Sequence, residues 1–263
     1  MAGLATSSKR VRRLSQMVDA IGENEELSVE QLTDMFSSSP ATIRRDLTLL
    51  SEQHLVQRTH GGARPLGSAR EVPVLFRDSR FRDSKRLIAR AAVDLIPAAR
   101  MAIAISGGTT TAEVARLLAE RSQLSVVTNS VSIASLLAPF QQLRILLTGG
   151  LLRPQSLELV GALAENTFNS VNIGIAILGA DGVSAAEGVT THDETEARTN
   201  HAMVDRAPRT IVVADGSKVG QVAMARMADI TEVAVLITDS SADAQALESI
   251  RIAGVEVIVV DAP

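Results

Sequence analysis

The chain has 263 residues, a formal net charge of −4, no cysteine and only five aromatic side chains, all phenylalanine. That length accommodates two domains, the missing thiols exclude a disulfide framework, a thiolate metal site and a cysteine nucleophile, and the shortage of rings argues against a stacking platform for single-stranded nucleic acid. Residues 1–95 carry 15 Lys/Arg against 12 Asp/Glu and residues 96–263 carry 11 against 18, so any contact with nucleic acid has to be local rather than a property of the whole surface.

The first elements read as helices. Val11, Leu14, Met17, Val18 and Ile21 recur at helical spacing, and Ser28 is placed to cap a short second helix through Leu32 and Phe36. The segment from Ser37 to Leu50 predicts a third. Ser39 is a good N-cap, and Pro40 falls at the first helical position, where its missing N–H costs nothing. At about 100° per residue Ile43, Leu47 and Leu50 share one stripe, while Ala41, Arg45 and Thr48 face the other way with Arg44 at the edge. The stripe packs, and the opposite face is free to enter a groove. With a brief turn before its last member, this trio has the form of a helix-turn-helix unit.

Leu55 to Gly62 predicts a short strand ending in two glycines, the start of a hairpin wing on which Arg58 and His60 reach phosphate or the minor groove. The expected DNA-binding residues are Ser39, Ala41, Thr42, Arg44, Arg45, Thr48, Arg58 and His60. Lys9, Arg10, Arg12, Arg13 and Arg64 are the other local cations. Paired arginines on a helix are more often a solvated face, and here the surrounding elements favour DNA.

The expected organisation is a winged helix-turn-helix domain over residues 1–64, a Gly- and Pro-rich linker over 65–75 that includes Gly67 and Ser68, and a second domain over 76–263. A charged helix from Arg77 to Arg90 opens the second domain, anchored by Phe76, Phe81, Leu87, Ile88 and Ala91. Apolar runs then follow at Met101–Ile105, Leu124–Thr128, Arg144–Thr148, Ile173–Leu178, Thr210–Ala214, Glu232–Thr238 and Val255–Val260. Helical patterns fall between them at Thr111–Arg121, Val131–Leu137, Glu194–Arg206 and Ala242–Ala253. Continuous buried strands alternating with helices predict an α/β domain with a mainly parallel sheet covered on both faces.

Five of those strands end in small or polar residues, and the crevice beyond the carboxyl ends of a parallel sheet is where ligands bind. Ser106, Gly107 and Gly108 followed by Thr109, Thr110 and Thr111 combine close backbone approach with hydroxyls at a helix start, either an anion cradle or a plain helix cap. The spacing matches neither a nucleotide P-loop nor a dinucleotide fingerprint. Asn129 with Ser130, Gly149 with Gly150, Asp181 and Asp215 complete the edge, the carboxylates and Asn129 serving either sugar-like hydroxyls or turns. Lys218 supplies a compact cation to the same anion. His192 and Glu196 form an i, i+4 pair of the kind that holds a metal, yet without a third spaced ligand an acid-rich helix N-terminus is favoured. No metal or cofactor is expected.

Thr42-Ile-Arg-Arg-Asp-Leu47 followed by Arg58-Thr-His-Gly-Gly-Ala63 resembles the signature of the DeoR family of bacterial transcriptional regulators. The likeness continues in order through Gly108-Thr-Thr-Thr111, Val127-Thr-Asn-Ser130, Gly149-Gly150, Leu159-Val-Gly161, Gly179-Ala-Asp-Gly182 and Asp215-Gly-Ser-Lys218. It implies a winged-helix domain joined to a sensor related to ribose-5-phosphate isomerase and coenzyme A transferases. It further implies homo-oligomers on paired operator half-sites, and repression of carbohydrate operons under a phosphorylated sugar or related metabolite. By position, Gly108 to Thr111 and Lys218 would meet the phosphate, and Asn129, Asp181 and Asp215 the polyol. Three places depart from the pattern: Ser106 where an Asp is frequent, Ser37-Ser38 for Gly-Val, and Asn200 for Lys.

The expected function is therefore an operator-binding repressor acting on double-stranded DNA, not an enzyme. The alternative is a sugar-phosphate isomerase with an appended DNA-binding domain, for which Asp181 and Glu113 are the candidate bases. No apolar run approaches the ~20 residues of a membrane span and no signal-peptide core is evident, so a cytoplasmic protein without a membrane partner is expected.

Overall fold

The structure, a computed structural model, describes residues 8–22, 24–66, 71–77 and 81–261. Gly67 and Ser68 of the expected linker lie outside them, as does the side chain of Val11. The chain divides into two compact units, Met1–Arg80 and Phe81–Pro263.

In the first unit α1 spans Ser8–Gly22, β1 Leu27–Ser28, α2 Val29–Phe36, α3 Pro40–Glu52, β2 Val56–Arg58 and β3 Gly62–Pro65. Ser28 starts α2 through a reciprocal capping box: its hydroxyl accepts from the Gln31 amide at 3.1 Å and its own amide donates to the Gln31 side chain at 2.8 Å. Ser37 closes α2 in the left-handed region at φ 45°, the conformation a glycine would adopt without steric cost. Ser39 then caps α3 by accepting from the Thr42 amide at 3.2 Å, with Pro40 in the first turn as expected. Ile43, Leu47 and Leu50 are fully buried together with Leu14, Met17, Ile21, Leu32 and Val56. β3 lies between β1 and β2, antiparallel to both, and forms the wing.

The expected linker is shorter than its composition implies. Val74–Phe76 forms a 3-10 turn in which Val74 and Phe76 are buried, Phe76 within the same apolar cluster as α1 and α3. Ser15 in α1 donates to the Phe76 carbonyl at 2.7 Å, and Arg77 donates to the Val72 carbonyl and pairs with Glu71. Residue 76 therefore closes the first unit rather than opening the second, because its ring finds apolar cover there.

The second unit contains α4 (Arg82–Asp94), β4 (Met101–Ile105), α5 (Thr109–Leu118), β5 (Leu124–Thr128), α6 (Val131–Leu137), β6 (Arg144–Leu147), β7 (Leu151–Arg153), β8 (Glu158–Val160) and α7 (Ala162–Asn169). It continues with β9 (Ile175–Gly179), β10 (Gly182–Ser184), β11 (Gly188–Thr191), α8 (Glu194–Arg206), β12 (Thr210–Val213), β13 (Ala225–Ala228), β14 (Val235–Asp239), α9 (Ala244–Ile252) and β15 (Glu256–Val260). The seven predicted runs become one seven-stranded sheet in the order β15-β14-β12-β9-β4-β5-β6. Every neighbouring pair is parallel.

Alternation within the runs feeds two cores. Ile103, Ile105, Ile175 and Ile177 pack with Ile88, Val114, Leu118 and Ile133 of α4, α5 and α6 on one face. Ala104, Ala176 and Leu178 pack with Phe168, Met203, Leu247 and Ile250 of α7, α8 and α9 on the other. Both faces are apolar, which is why the runs carry no polar alternation. The β7–β8 hairpin and the antiparallel β10-β11-β13 sheet lie outside the sequence expectation, their strands being three or four residues long.

Candidate DNA-reading surface and effector crevice

On α3, Ser39, Ala41, Arg44, Arg45 and Thr48 are exposed and Thr42 is half-buried, while on the wing Arg58 and His60 are exposed. The hydroxyls of Ser39 and Thr42 lie 2.9 Å apart and share the work of the cap. Arg58 reaches from the wing to the Arg44 carbonyl and the Thr48 hydroxyl, both at 3.3 Å, and Thr48 donates to the same carbonyl at 2.9 Å. The wing is thereby braced against the helix it flanks. Arg44 and Arg45 have no carboxylate partner among the described residues.

Three cations of the expected local set are otherwise engaged. Asp46 is buried on the inner side of α3, where it accepts from Arg10 at 3.0 Å and pairs with Arg13 at 2.7 Å. Those arginines hold α1 to α3 before they offer anything to phosphate. Periodicity places Asp46 between the apolar stripe and the free face, which gives no hint of these partners 36 and 33 residues away. Arg64 donates to Gln57 across the wing at 3.0 Å.

In the second unit the carboxyl ends of β4, β5, β6 and β9 bring the expected ligand residues to one edge. Ser106 is buried and accepts from the Gly179 amide at 3.0 Å, joining the ends of β4 and β9. Gly108 caps α5 at φ 131°, and Thr111 donates back to the Gly108 carbonyl at 3.1 Å. Thr109 and Thr110 form the first turn of α5, with Thr110 buried. Asn129 is wholly buried and donates to Asn200 at 3.0 Å, while Ser130 caps α6 by accepting from the Ile133 amide. Gly149 is exposed. Gly150 has φ 137°, and a Cβ there would lie 2.7 Å from the Val160 carbonyl oxygen, so no side chain fits this turn.

Asp181 accepts from Thr191 at 3.2 Å and has Lys218 at 4.0 Å and His192 at 3.9 Å. Asp215 accepts from the amide of Ser217 at 3.2 Å and from its hydroxyl at 2.5 Å, the turn-residue alternative of the sequence reading. Asp193 caps α8, accepting from the Glu196 amide at 2.9 Å. Burial acts to raise the Asp193 pKa, but that amide and the Arg153 guanidinium outweigh it and hold the carboxyl below its ordinary range. The His192/Glu196 pair is divided: Glu196 binds Arg153 at 3.0 Å and Thr191 at 2.6 Å. Away from this edge, ligand atoms of His201, Asp205 and Glu232 lie within 4.8 Å of one another at the surface.

The residue that sequence reasoning missed is Glu158. It begins β8, is 2% exposed, and accepts from the Gly107 amide of the β4–α5 loop. Burial raises its pKa well above the ordinary carboxylate value, and neighbouring Glu196 raises it further. Its sole sequence signal is a carboxylate set between Leu157 and Leu159. The start of α5, Lys218 and the buried acceptors Asn129, Glu158 and Asp215 thus stand at the ends of the strands and the loops that follow them.

Comparison with known proteins bears on both units. Residues 13–68 match the DeoR-like helix-turn-helix domain and residues 80–240 the DeoR C terminal sensor domain. The HTH-type transcriptional regulator GlpR of Haloferax volcanii is 36% identical, covering 94% of this chain and 96% of its own. The glycerol-3-phosphate regulon repressor of Escherichia coli is 33% identical, covering 88% and 92%. Among solved structures, ribose 5-phosphate isomerase A of Methanocaldococcus jannaschii aligns at 19% identity over 52% of this chain and 54% of its own, with a TM-score of 0.40.

Proposed function

The chain belongs to the DeoR family of transcriptional repressors, and on that footing we propose that it represses a carbohydrate uptake or breakdown operon in the cytoplasm under the control of a phosphorylated sugar or related metabolite. The observation that carries this is α3, which buries one stripe and presents Arg44 and Arg45 on the other, braced by Arg58. In the second unit, Gly108 to Thr111 and Lys218 take the phosphate, and Asn129 and Asp181 the hydroxyls. A ligand there changes operator affinity only by preferring one arrangement of the DNA-binding heads over another.

Homo-oligomers on paired half-sites complete the reading. Leu146 and Leu147 are exposed on the edge strand β6, and Leu151, Leu152 and Leu163 are exposed on the elements that follow, Leu151 at 78%. Such a cluster suits a self-complementary contact between copies.

The test is a melting series of the full chain with sugar phosphates and the same sugars lacking phosphate. A phosphorylated ligand should raise the melting temperature by binding the folded state, and the bare sugar should not. Lys218→Ala and Thr110→Val should erase the shift and the ligand's effect on operator binding while leaving the ligand-free DNA affinity intact. A full response in Lys218→Ala would place the effector elsewhere. Conversion of the sugar phosphate during long incubation, read by chromatography, would favour the isomerase alternative.

A further inference from the structure

Glu158 stands in an unusual place for a carboxylate. The loop that starts α5 offers amide hydrogens to an anion, and the Gly107 amide already donates to Glu158 Oε1. The fit is tight: a Cβ on Gly107 would lie 2.6 Å from Glu158 Cγ. Nor can β8 swing away, since the Leu159 amide donates to the Asn129 carbonyl at 2.7 Å and the Val131 amide to the Leu157 carbonyl at 2.9 Å.

The surroundings are short of hydrogen-bond donors. Glu158 Oε2 receives a long bond of 3.4 Å from Asn200, whose carbonyl oxygen accepts from Asn129. Asn129 Oδ1, one hydrogen bond further along, is buried and has no partner among the described residues. Glu196, Asp193 and Asp181 add three carboxylates nearby; Arg153 binds the first two of these, and Lys218 lies by the third. Such a wall is unfavourable to a bare anion and favourable to a ligand that brings hydrogens.

We propose that Glu158 is the specificity-determining residue of this crevice: it holds the Gly107 amide that a simple anion would take, and admits an acidic effector only when that effector also supplies hydroxyl or ammonium hydrogens to Glu158 and Asn129. This rests on the reading of the β4–α5 loop as the effector site. It assigns Glu158 two roles, as an internal competitor for the loop and as an acceptor for the ligand. Truncation to Ala removes both roles, whereas Gln keeps an acceptor for the Gly107 amide and removes only the carboxylate.

The experiment titrates the full chain, Glu158→Gln and Glu158→Ala with inorganic phosphate, glucose 6-phosphate and glucosamine 6-phosphate by calorimetry, with circular dichroism and a cooperative melt as the check that each variant is folded. Glu158→Ala is the decisive variant, and Glu158→Gln, which keeps the shape and an acceptor, serves with a smaller gain should Glu158→Ala not fold. Inorganic phosphate should bind Glu158→Ala at least about tenfold more tightly than the wild type, equivalent to about 1.4 kcal/mol, and Glu158→Gln should gain less. Whichever sugar phosphate the wild type prefers to inorganic phosphate should lose most of that preference, and the two sugars separate a hydroxyl from an ammonium as donor. A folded Glu158→Ala that binds phosphate no better than the wild type overturns the proposal, as does a folded Glu158→Gln with no gain where Glu158→Ala does not fold. If a sugar phosphate stabilises the wild type through Lys218 and the variants gain nothing, the effector reading stands and the role of Glu158 falls. If the variants gain phosphate affinity but no sugar phosphate is held, Glu158 keeps its role and the phosphorylated-sugar reading falls.

Discussion

Asp46 and Arg13 form an ion pair of 2.7 Å in which the carboxylate is 1% exposed and the guanidinium 19%. The pair, with Arg10 beside it, ties α3 to α1. Removing one member of a buried pair leaves the other without its compensating charge. Asp46→Ala should destabilise the first unit by about 2–3 kcal/mol, less than a fully enclosed pair because Arg10 and Arg13 still reach water. Chemical denaturation followed by circular dichroism measures it, and an unchanged midpoint would remove Asp46 from the account of how α3 is held.

Arg44→Ala and Arg45→Ala should each weaken operator binding without altering the fold, since neither side chain takes part in packing. Loss of a base contact costs about 1–3 kcal/mol and relaxes specificity at one position, whereas loss of a phosphate contact reduces the salt slope by about one. Gel-shift titrations at two salt concentrations separate the two roles. Full affinity in both variants would show that α3 is not the reading helix.

Phe76→Ala should cost about 3 kcal/mol in the first unit, the usual range for truncating a buried aromatic ring. Consistent with that, a fragment ending at residue 66 should melt well below one ending at 80, because it lacks Val72, Phe76 and the partner of Ser15. Equal melting temperatures would mean that the chain after the wing contributes nothing to this fold.

Ser37→Gly should stabilise the first unit by about 1 kcal/mol, since Ser37 adopts φ 45° at the end of α2 and glycine occupies that region without a Cβ clash. Ser37 is exposed, so little packing is lost with its side chain. A melt of the variant beside the wild type decides the sign.

The pH dependence of stability should carry the mark of Glu158. Its folded pKa is raised, so between the ordinary carboxylate value and the raised one the folded protein binds more protons than the unfolded chain. Stability from this group therefore falls as pH rises through that window. Asp193 acts with the opposite sign: its folded pKa is lowered, so its contribution is present above the ordinary value and lost as pH falls through the lowered one. The melting temperature of Glu158→Gln relative to wild type should climb as pH rises from the carboxylate range and then level off. A difference that stays flat with pH would contradict the shift.

Much of this molecule is legible in its sequence. The three helices of the first unit are marked by local chemistry, namely the hydroxyl of Ser28, the Ser39-Pro40 start and the spacing of Ile43, Leu47 and Leu50, because capping and helical period act within a few residues. The seven sheet strands were legible for a related reason: a strand buried on both faces must be continuously apolar, and Ile175 to Leu178 is such a run.

What only the tertiary structure decided are the pairings between charges far apart in the chain and the destination of an apolar ring. Asp46 meets Arg10 and Arg13, Glu158 meets the Gly107 amide 51 residues away, and Phe76 buries itself beside α1. A carboxylate in a sequence carries no mark of whether it will face water or a buried donor, because that depends on which elements the packing of the core brings alongside it. The strand ends mark the edge proposed here for an effector, and the place of Glu158 became visible only once β8 lay beside the loop between β4 and α5.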